Sequence, residues 1–209
     1  MTLKMLLTQG LQALSLDFSA AQTQRCLDYL ALLQKWNKAY NLTAIRDPQE
    51  MVTKHLLDSL SIQPYLVGDA VLDVGTGAGL PGIPLAIAEP GKRFILLDSN
   101  GKKIRFVRQA AIELGLSNVE AIHGRIEALQ DRQFSTITTR AFSALSDMHI
   151  ISPQLLASEG VLLAMKGALH ADDRVPEAYQ LVRTQVLAVP GVPAARHVLV
   201  LQPNMQGLH

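Results

Sequence analysis

The chain is short of cysteine: Cys26 is its only one, so no disulfide can close within it, and a reducing compartment suits it. A cysteine-based metal cluster is excluded for the same reason. The six histidines show neither an H-x₃-H spacing nor an H-E-x-x-H motif, so no metal site is expected. Long apolar runs are missing too. Stretches such as Val161–Met165 fall far short of the roughly 20 residues that span a bilayer. The opening Met1-Thr2-Leu3-Lys4 lacks the basic region, apolar core and small-residue cleavage site of a secretion signal. A cytoplasmic protein without membrane attachment is the expectation. Excess charge of one sign is also absent. Formal net charge is only +1, so if nucleic acid is the partner its phosphates must be met by cations gathered locally.

What the chain does have is core-forming material. Its 209 residues are 48% apolar and 18% charged, which argues against disorder and suits one catalytic domain with a modest extension. The front reads as helical. Leu3, Leu6, Leu7, Leu11 and Leu14 recur at helical spacing, with a break around Ser15–Phe18. Ser19 caps a longer helix to about Tyr40, with Leu27, Leu30, Leu33 and Trp36 along one face. A third helix starts at Asp47-Pro48-Gln49-Glu50: Asp47 is the cap, Pro48 takes the first helical position and Glu50 can close a capping box.

Beyond Gly68 the pattern changes to apolar strands separated by helical stretches. Strands are expected at Ala70–Val74, Arg93–Asp98, Val119–His123, Phe134–Thr139 and Val161–Lys166. Such alternation builds a parallel sheet covered on both faces. Lys102–Leu114 is the clearest intervening helix, with Ile104, Val107, Ala111 and Leu114 inward and Gly115 just past its end. The last runs, Thr184–Val189 and Arg196–Gln202, are too close together for a helical crossover and should pair antiparallel. Pro203–His209 is expected to be a tail. The organisation read here is a helical N-terminal extension over residues 1–66, a ligand-binding domain over 67–203 and a tail over 204–209. The whole is a seven-stranded, doubly wound α/β fold with a helical cap.

The most informative stretch is Val71-Leu72-Asp73-Val74-Gly75-Thr76-Gly77-Ala78-Gly79: a strand, a glycine turn, then a helix beginning near Pro81 or Gly82. Glycine is needed where backbone takes positive φ or approaches a ligand closely, and the helix end favours a polar or anionic group. A dinucleotide fingerprint would place its third glycine at position 80, which is Leu80. The spacing here is G-x-G-x-G with Asp73 two residues ahead, the variant found in methyltransferases, whose ligand has no pyrophosphate. The second strand ends at Asp98, about 20 residues on, where a carboxylate can accept from both ribose hydroxyls. S-adenosyl-L-methionine is therefore the expected cofactor, with Asp73, Gly75, Gly77, Gly79 and Asp98 as candidate ligands.

Residue types also narrow the acceptor. Methylation of a pyrimidine carbon usually calls for a cysteine near strands four to six, and Cys26 lies in a front helix. Exocyclic-amine methylation commonly uses an Asn/Asp-Pro-Pro-Tyr/Phe turn after strand four, where this chain has Thr138-Thr139-Arg140-Ala141-Phe142. Guanine N7 presents a lone pair and loses no proton, so the lack of an evident general base is compatible with attack from that atom.

Several segments together resemble the glucose-inhibited division protein B family, the bacterial small-subunit ribosomal RNA guanine-N7 methyltransferases. They are Trp36–Thr43, Arg46-Asp47-Pro48, His55, Leu57-Asp58-Ser59, Asp73–Gly82, Leu97–Lys103, Arg140-Ala141-Phe142, Met165-Lys166-Gly167 and Arg196-His197. The resemblance implies methylation of guanine 527 in 16S rRNA, with 16S rRNA or the small ribosomal subunit as partner and a monomer favoured. It implies that Gly75 and Leu80 contact the cofactor, that Asp98 holds the ribose and that Ile126 and Glu127 flank the adenine. Arg140 would stand at the methyl-transfer face as both catalytic and cofactor-binding residue. Ser135 departs from the family, which usually has Asp there.

Each residue also has a plainer role. Phe142 either stacks on a flipped base or packs in the core. Lys102, Lys103, Arg105 and Arg108 form either a solvated helix face or, with Lys166, an RNA-phosphate contact. Trp36 falls on an apolar helix face and reads as core rather than as part of a lid with Tyr40 and Asn41. His55 and Asp58 share a helix face and read first as a structural hydrogen bond. Cys26 reads as packed. The functional alternatives are a small-molecule or protein methyltransferase, and a non-catalytic RNA-binding module that senses the cofactor.

Overall fold

A computed structural model describes residues 1–129, 132–142, 144–171 and 173–204. Helix α1 (Leu3–Ala13) is capped by Thr2, whose hydroxyl accepts from the Met5 N–H at 3.2 Å, and it buries Leu7, Gly10 and Leu11. Helix α2 (Ala20–Tyr40) starts in a capping box of Ser19 with Gln22 and ends at Asn41 in the left-handed region. Its buried stripe is Cys26, Tyr29, Leu30 and Leu33; Leu27 and Trp36 are only half-buried. Trp36 still packs on the core, stacked on Tyr40 at 5.2 Å and tilted against Phe106 at 5.8 Å.

The third helix is not uniform. Helix α3 (Pro48–Met51) passes into a π-helix, Val52–Leu57, and then into the short α4 (Asp58–Leu60). Asp47 caps it, accepting from the Glu50 N–H at 2.9 Å. The reciprocal half of the expected capping box is absent, because the Glu50 carboxylate is taken by Lys54 at 2.8 Å, one turn on.

Seven strands form one sheet: β1 (Ala70–Val74), β2 (Arg93–Asp98), β3 (Val119–His123), β4 (Phe134–Thr139), β5 (Leu156–Lys166), β6 (Tyr179–Val186) and β7 (His197–Pro203). Their order is β3-β2-β1-β4-β5-β7-β6. The first five run parallel, and β7 is antiparallel to both β5 and β6, as the close spacing of the last two runs demanded. Two strands start earlier than their apolar runs suggested. β5 is extended back to Leu156 through an irregularity in which Glu159 takes φ 62°. β6 starts at Tyr179, whose hydroxyl donates to the Ile151 carbonyl at 2.8 Å. Pro203 pairs with Tyr179 inside the sheet and so belongs to β7 rather than to a tail; residues 205–209 of the expected tail lie outside the described residues.

One face of the sheet is covered by α-helices: α2, α5 (Gly82–Ala88) and α6 (Gly101–Glu113), with the π-helix beside them. In α6 the residues facing in are Ile104, Phe106, Val107 and Ala110, whereas Ala111 is only half-buried. The other face is closed differently. Where helical crossovers were expected, the links from β3 to β4 and from β4 to β5 carry 3-10 turns: Ile126–Leu129, Leu145–Ile150 and Pro153–Leu155. These links are short or interrupted by Ser152-Pro153, so they bury single residues such as Leu129, Met148 and Leu155 rather than a helical stripe. Among the described residues no helix is long and apolar enough to cross a membrane.

A buried contact ties the helical extension to the sheet's working edge at the glycine turn. The Tyr29 hydroxyl, on α2, donates to the Ala78 carbonyl in the glycine turn at 2.7 Å. Tyr29→Phe leaves that carbonyl buried without its donor, and the expected cost is about 1–3 kcal/mol, read as a lower urea midpoint at unchanged slope. An unaltered midpoint would show that the contact does not tie the two parts together.

Candidate active site

In an open parallel sheet the ligand crevice lies at the C-terminal strand ends where the strand order reverses. Here that point is between β1 and β4. The turn after β1 is held from below by Asp73, which has no exposure at all. Its Oδ2 accepts from the Thr76 hydroxyl at 2.6 Å and from the Gly82 N–H at 2.9 Å. Burial pushes its carboxyl up to about 6, against the pull of those two donors and of the Arg140 charge. Gly82 must be glycine: a Cβ there would collide with the Leu96 side chain and come within 2.8 Å of Asp73 Oδ2.

The turn itself runs through positive φ at Gly75, Gly77 and Gly79. The Gly75 and Thr76 N–H groups donate to the Leu97 carbonyl at 2.9 and 3.0 Å, lashing the turn to β2. Asp98, at the end of β2, accepts from the Gly77 N–H at 2.8 Å and from the Asn100 N–H at 2.8 Å. These contacts separate the sequence-predicted residues into two sets. Gly75 and Gly77 keep exposed surface, whereas Asp73, Gly79 and Leu80 are buried behind the turn. A Cβ on Gly79 would meet Ile83, so this glycine serves helix packing.

In front of the turn is a groove of about 230 Å³ whose walls include Gly75, Asp98, Ile126, Glu127, Ala141 and Phe142. Asp73 and Leu80 are not among its lining residues. A carboxylate at one side, apolar Ile126 and Phe142, and a wall of backbone at Gly75 fit an adenosyl group with its ribose diol.

On the other side of Phe142 lies a larger cavity of about 480 Å³, lined by Lys54, Asp58, Arg140, Lys166, Arg196 and His197 among others. Phe142 lines both spaces. Arg140 donates from Nη1 to Asp58 Oδ2 at 3.1 Å and to the Lys54 carbonyl at 3.4 Å. Lys166 pairs with Asp173 at 3.6 Å. Lys102 and Arg105 are exposed and Lys103 half-buried on α6, so the structure separates that basic face from Lys166. Among the described residues no group of three or more His, Cys, Asp or Glu is placed to hold a metal ion.

His55 and Asp58 do not bond to each other. His55 lies within the π-helix and Asp58 directly follows it, and the two side chains find different partners. His55 Nε2 is 2.9 Å from the Thr43 hydroxyl and Nδ1 is 3.2 Å from the Lys54 carbonyl. Because a carbonyl can only accept, Nδ1 carries the proton and Nε2 accepts from Thr43. Asp58 spans Arg140 and Arg196. Lys54 and the Asp58–Arg196 pair were missed as site features from residue spacing alone: Lys54 reads there as an ordinary partner of Glu50, and the pair is 138 positions apart. Cys26 is fully buried and its thiol is pushed up to about 12 by that burial, so it is packing material.

Comparison with known proteins agrees with this geometry. Residues 22–199 match the model of the GidB family, described as rRNA small subunit methyltransferase G. A protein of Marinobacter nauticus named ribosomal RNA small subunit methyltransferase G is 54% identical over 199 residues, covering 93% of this chain and 92% of that one. One of the same name from Nitrosococcus oceani is 47% identical over 207 residues, covering 98% and 97%. Among solved structures, magnesium protoporphyrin IX methyltransferase of Synechocystis with bound SAM superposes with a TM-score of 0.56 at 14% identity, over 83% of this chain and 97% of that one. Precorrin-6y C5,15-methyltransferase of Geobacter metallireducens does so with 0.51 at 17%, over 70% and 87%. At such identities these two establish the fold alone, a Rossmann-like methyltransferase sheet.

Burial, with the Arg140 charge beside it, pushes the His55 imidazole down to about 4 from 6.5. A depressed folded value means that the unfolded chain takes up the proton first as pH falls. The stability His55 contributes is therefore whole above about pH 6.5 and lost as pH drops through about 4. Between pH 7 and pH 5 the wild type is expected to lose about 2 kcal/mol more than His55→Gln, measured by urea unfolding at each pH. Parallel pH profiles would mean that the imidazole is not held neutral.

Proposed function

The chain belongs to the GidB family, the rRNA small subunit methyltransferase G proteins, and from that premise we propose that it transfers a methyl group from S-adenosylmethionine to N7 of a guanine in 16S rRNA. One observation carries the reading furthest: a groove fit for the donor and a cation-lined cavity fit for RNA share the wall Phe142, at the point where the strand order reverses. S-adenosylmethionine supplies the methyl group in activated form, on a positively charged sulfur.

The residues of the chain divide the rest of the task. Asp98 exchanges the Gly77 N–H for the ribose hydroxyls, and Ile126 and Glu127 flank the adenine. Gly75 and Gly77 present bare backbone to the remainder of the donor, while Asp73, Gly79 and Leu80 keep the turn in shape from behind. Arg140 faces the acceptor, where guanine N7 brings its own lone pair and no base has to take a proton. Alignment is then the main task of the site, and it can supply ~7–11 kcal/mol of the barrier. Phe142 stacks on the extruded base, a contact worth ~1–3 kcal/mol. Lys102, Lys103 and Arg105 follow the RNA backbone along α6, and Lys166 meets it in the cavity. Residues 67–203 thus carry donor and chemistry, and residues 1–66 shape the acceptor side. Both spaces lie within one chain, which supports a monomer, and a ribosomal substrate supports a cytoplasmic enzyme.

Mapping N7-methylguanosine in small-subunit RNA from cells with and without the gene tests the assignment. A single guanine, at position 527 by the family resemblance, is expected to lose its methyl group; an unchanged map would refute the RNA substrate. In vitro, Asp98→Ala is expected to weaken donor binding by about 10–100-fold, the loss of a charged hydrogen-bond acceptor. Arg140→Ala is expected to leave donor binding within about twofold and to slow transfer instead. Equal donor affinity in wild type and Asp98→Ala would remove the ribose role from Asp98.

A further inference from the structure

The cavity beyond Phe142 contains an arrangement that its cations alone do not account for. Asp58 is only 5% exposed and divides its carboxylate between two arginines. Oδ2 accepts from Arg140 Nη1 at 3.1 Å, and Oδ1 accepts from Arg196 Nε at 3.0 Å. The three residues come from three parts of the chain: the helix after the π-helix, the end of β4 and the residue before β7. Arg140 spends a second bond on the Lys54 carbonyl, and Arg196 spends one on the Ala195 carbonyl at 3.0 Å. Nε and Nη2 of Arg140 and Nη2 of Arg196 have no partner among the described residues. Both arginines line the cavity and keep over a quarter of their side-chain surface exposed.

Two guanidinium groups in one cavity with Lys54 and Lys166 repel one another unless an anion stands between them. A buried carboxylate with one oxygen for each fork removes that repulsion and fixes both side chains, so little ordering is left to be done when a ligand arrives. Paired guanidinium forks with spare N–H groups match the oxygens of a phosphodiester, which can accept from both at once. We propose that Asp58 is a positioning residue of the acceptor site, holding Arg140 and Arg196 as a facing pair that grips a backbone phosphate of the RNA next to the reacting guanine. The assignment rests on the methyltransferase reading above and adds to it a role for the helical extension, which otherwise touches no reacting group.

The test uses the full-length enzyme and small ribosomal subunits from cells that lack the gene. Asp58→Asn keeps the shape but turns an amide N–H₂ toward one guanidinium, so that one arginine is released. KM for subunits is expected to rise about tenfold or more, while affinity for S-adenosylhomocysteine by calorimetry stays within about twofold. Because Asp58 acts through the arginines, adding Asp58→Asn to Arg196→Gln should change KM by less than about threefold. The same loss in both backgrounds, or a donor affinity that falls in step with KM, would reduce Asp58 to a general fold contact and overturn the proposal. If the wild type methylates no subunits, the methyltransferase reading fails by itself, and Asp58 is judged by subunit binding in a filter assay. About tenfold weaker binding by Asp58→Asn then upholds the clamp, and equal binding overturns it.

Discussion

The carboxylate of Asp73 sits without exposure beneath the glycine turn, and the geometry of the donor groove follows from how that carboxylate is satisfied. One oxygen takes the Thr76 hydroxyl and the Gly82 N–H, which draws the start of α5 back against β1 and leaves the backbone between them to loop outward. The other oxygen, Oδ1, has no hydrogen-bond partner among the described residues. Burial without full compensation raises the group to about 6. A raised folded value contributes stability only below the ordinary value of 3.8 and loses it as pH rises through about 6. At neutral pH the turn therefore carries a cost, which the rest of the packing offsets. What that cost secures is a fixed backbone: with Asp73 below and the Leu97 carbonyl beside it, Gly75 is presented to the groove in one conformation, and Gly77 is held by Asp98 at the groove's edge.

That anchored turn is also the place where the helical extension attaches. Tyr29 reaches the Ala78 carbonyl from α2, and the Gln22 side-chain amide donates to the Ile87 and Ala88 carbonyls at the end of α5. The extension and the strand edge are thereby aligned, which brings the π-helix over the ends of β4 and β5. A π-helical turn is wider than an α-turn and is found mostly at functional sites. Here it ends at Asp58, the residue whose two oxygens each hold one arginine of the cavity.

How much of this is legible in the residues depends on the range of the interaction that decides it. β1, β2, the glycine turn and α6 follow from local patterns: near-continuous apolar runs buried on both faces, positive φ that glycine tolerates, and a cap at Asn100 whose side chain accepts from the Lys102 and Lys103 N–H groups. The direction in which Asp73, Gly79 and Leu80 face is not local. It is set by α5 and α6 packing on the turn, so a motif that reads as uniform ligand splits into residues that keep exposed surface and residues buried as scaffold. Strand–helix alternation alone implies helices where the 3-10 crossovers stand; between β4 and β5, Ser152-Pro153 stops the turn before a helix can extend. β6 was placed too late because its exposed middle, Gln180 to Gln185, carries no alternation, and its start is fixed by Tyr179 across the fold. The arginine pair was out of reach entirely: Asp58 and Arg196 meet only after the sheet has closed.

The near-zero net charge has a local counterpart in the cavity beyond Phe142. Four lysine and arginine side chains line it, and each is matched by a carboxylate: Lys54 by Glu50, Arg140 and Arg196 by Asp58, Lys166 by Asp173. Cations are gathered locally, but three carboxylates are gathered with them, so the cavity offers arrangement more than raw charge. On the reading proposed above, an RNA phosphate arriving there finds donors already oriented and has to share them with carboxylates rather than displace a cloud of counterions. Binding of that kind gains less from bulk electrostatics than the number of lysines and arginines suggests. Its selectivity then rests on whether a phosphate can reach the arginine pair while the guanine beside it reaches Phe142. A nearly neutral chain can hold an anionic polymer on those terms because the site discriminates by fit.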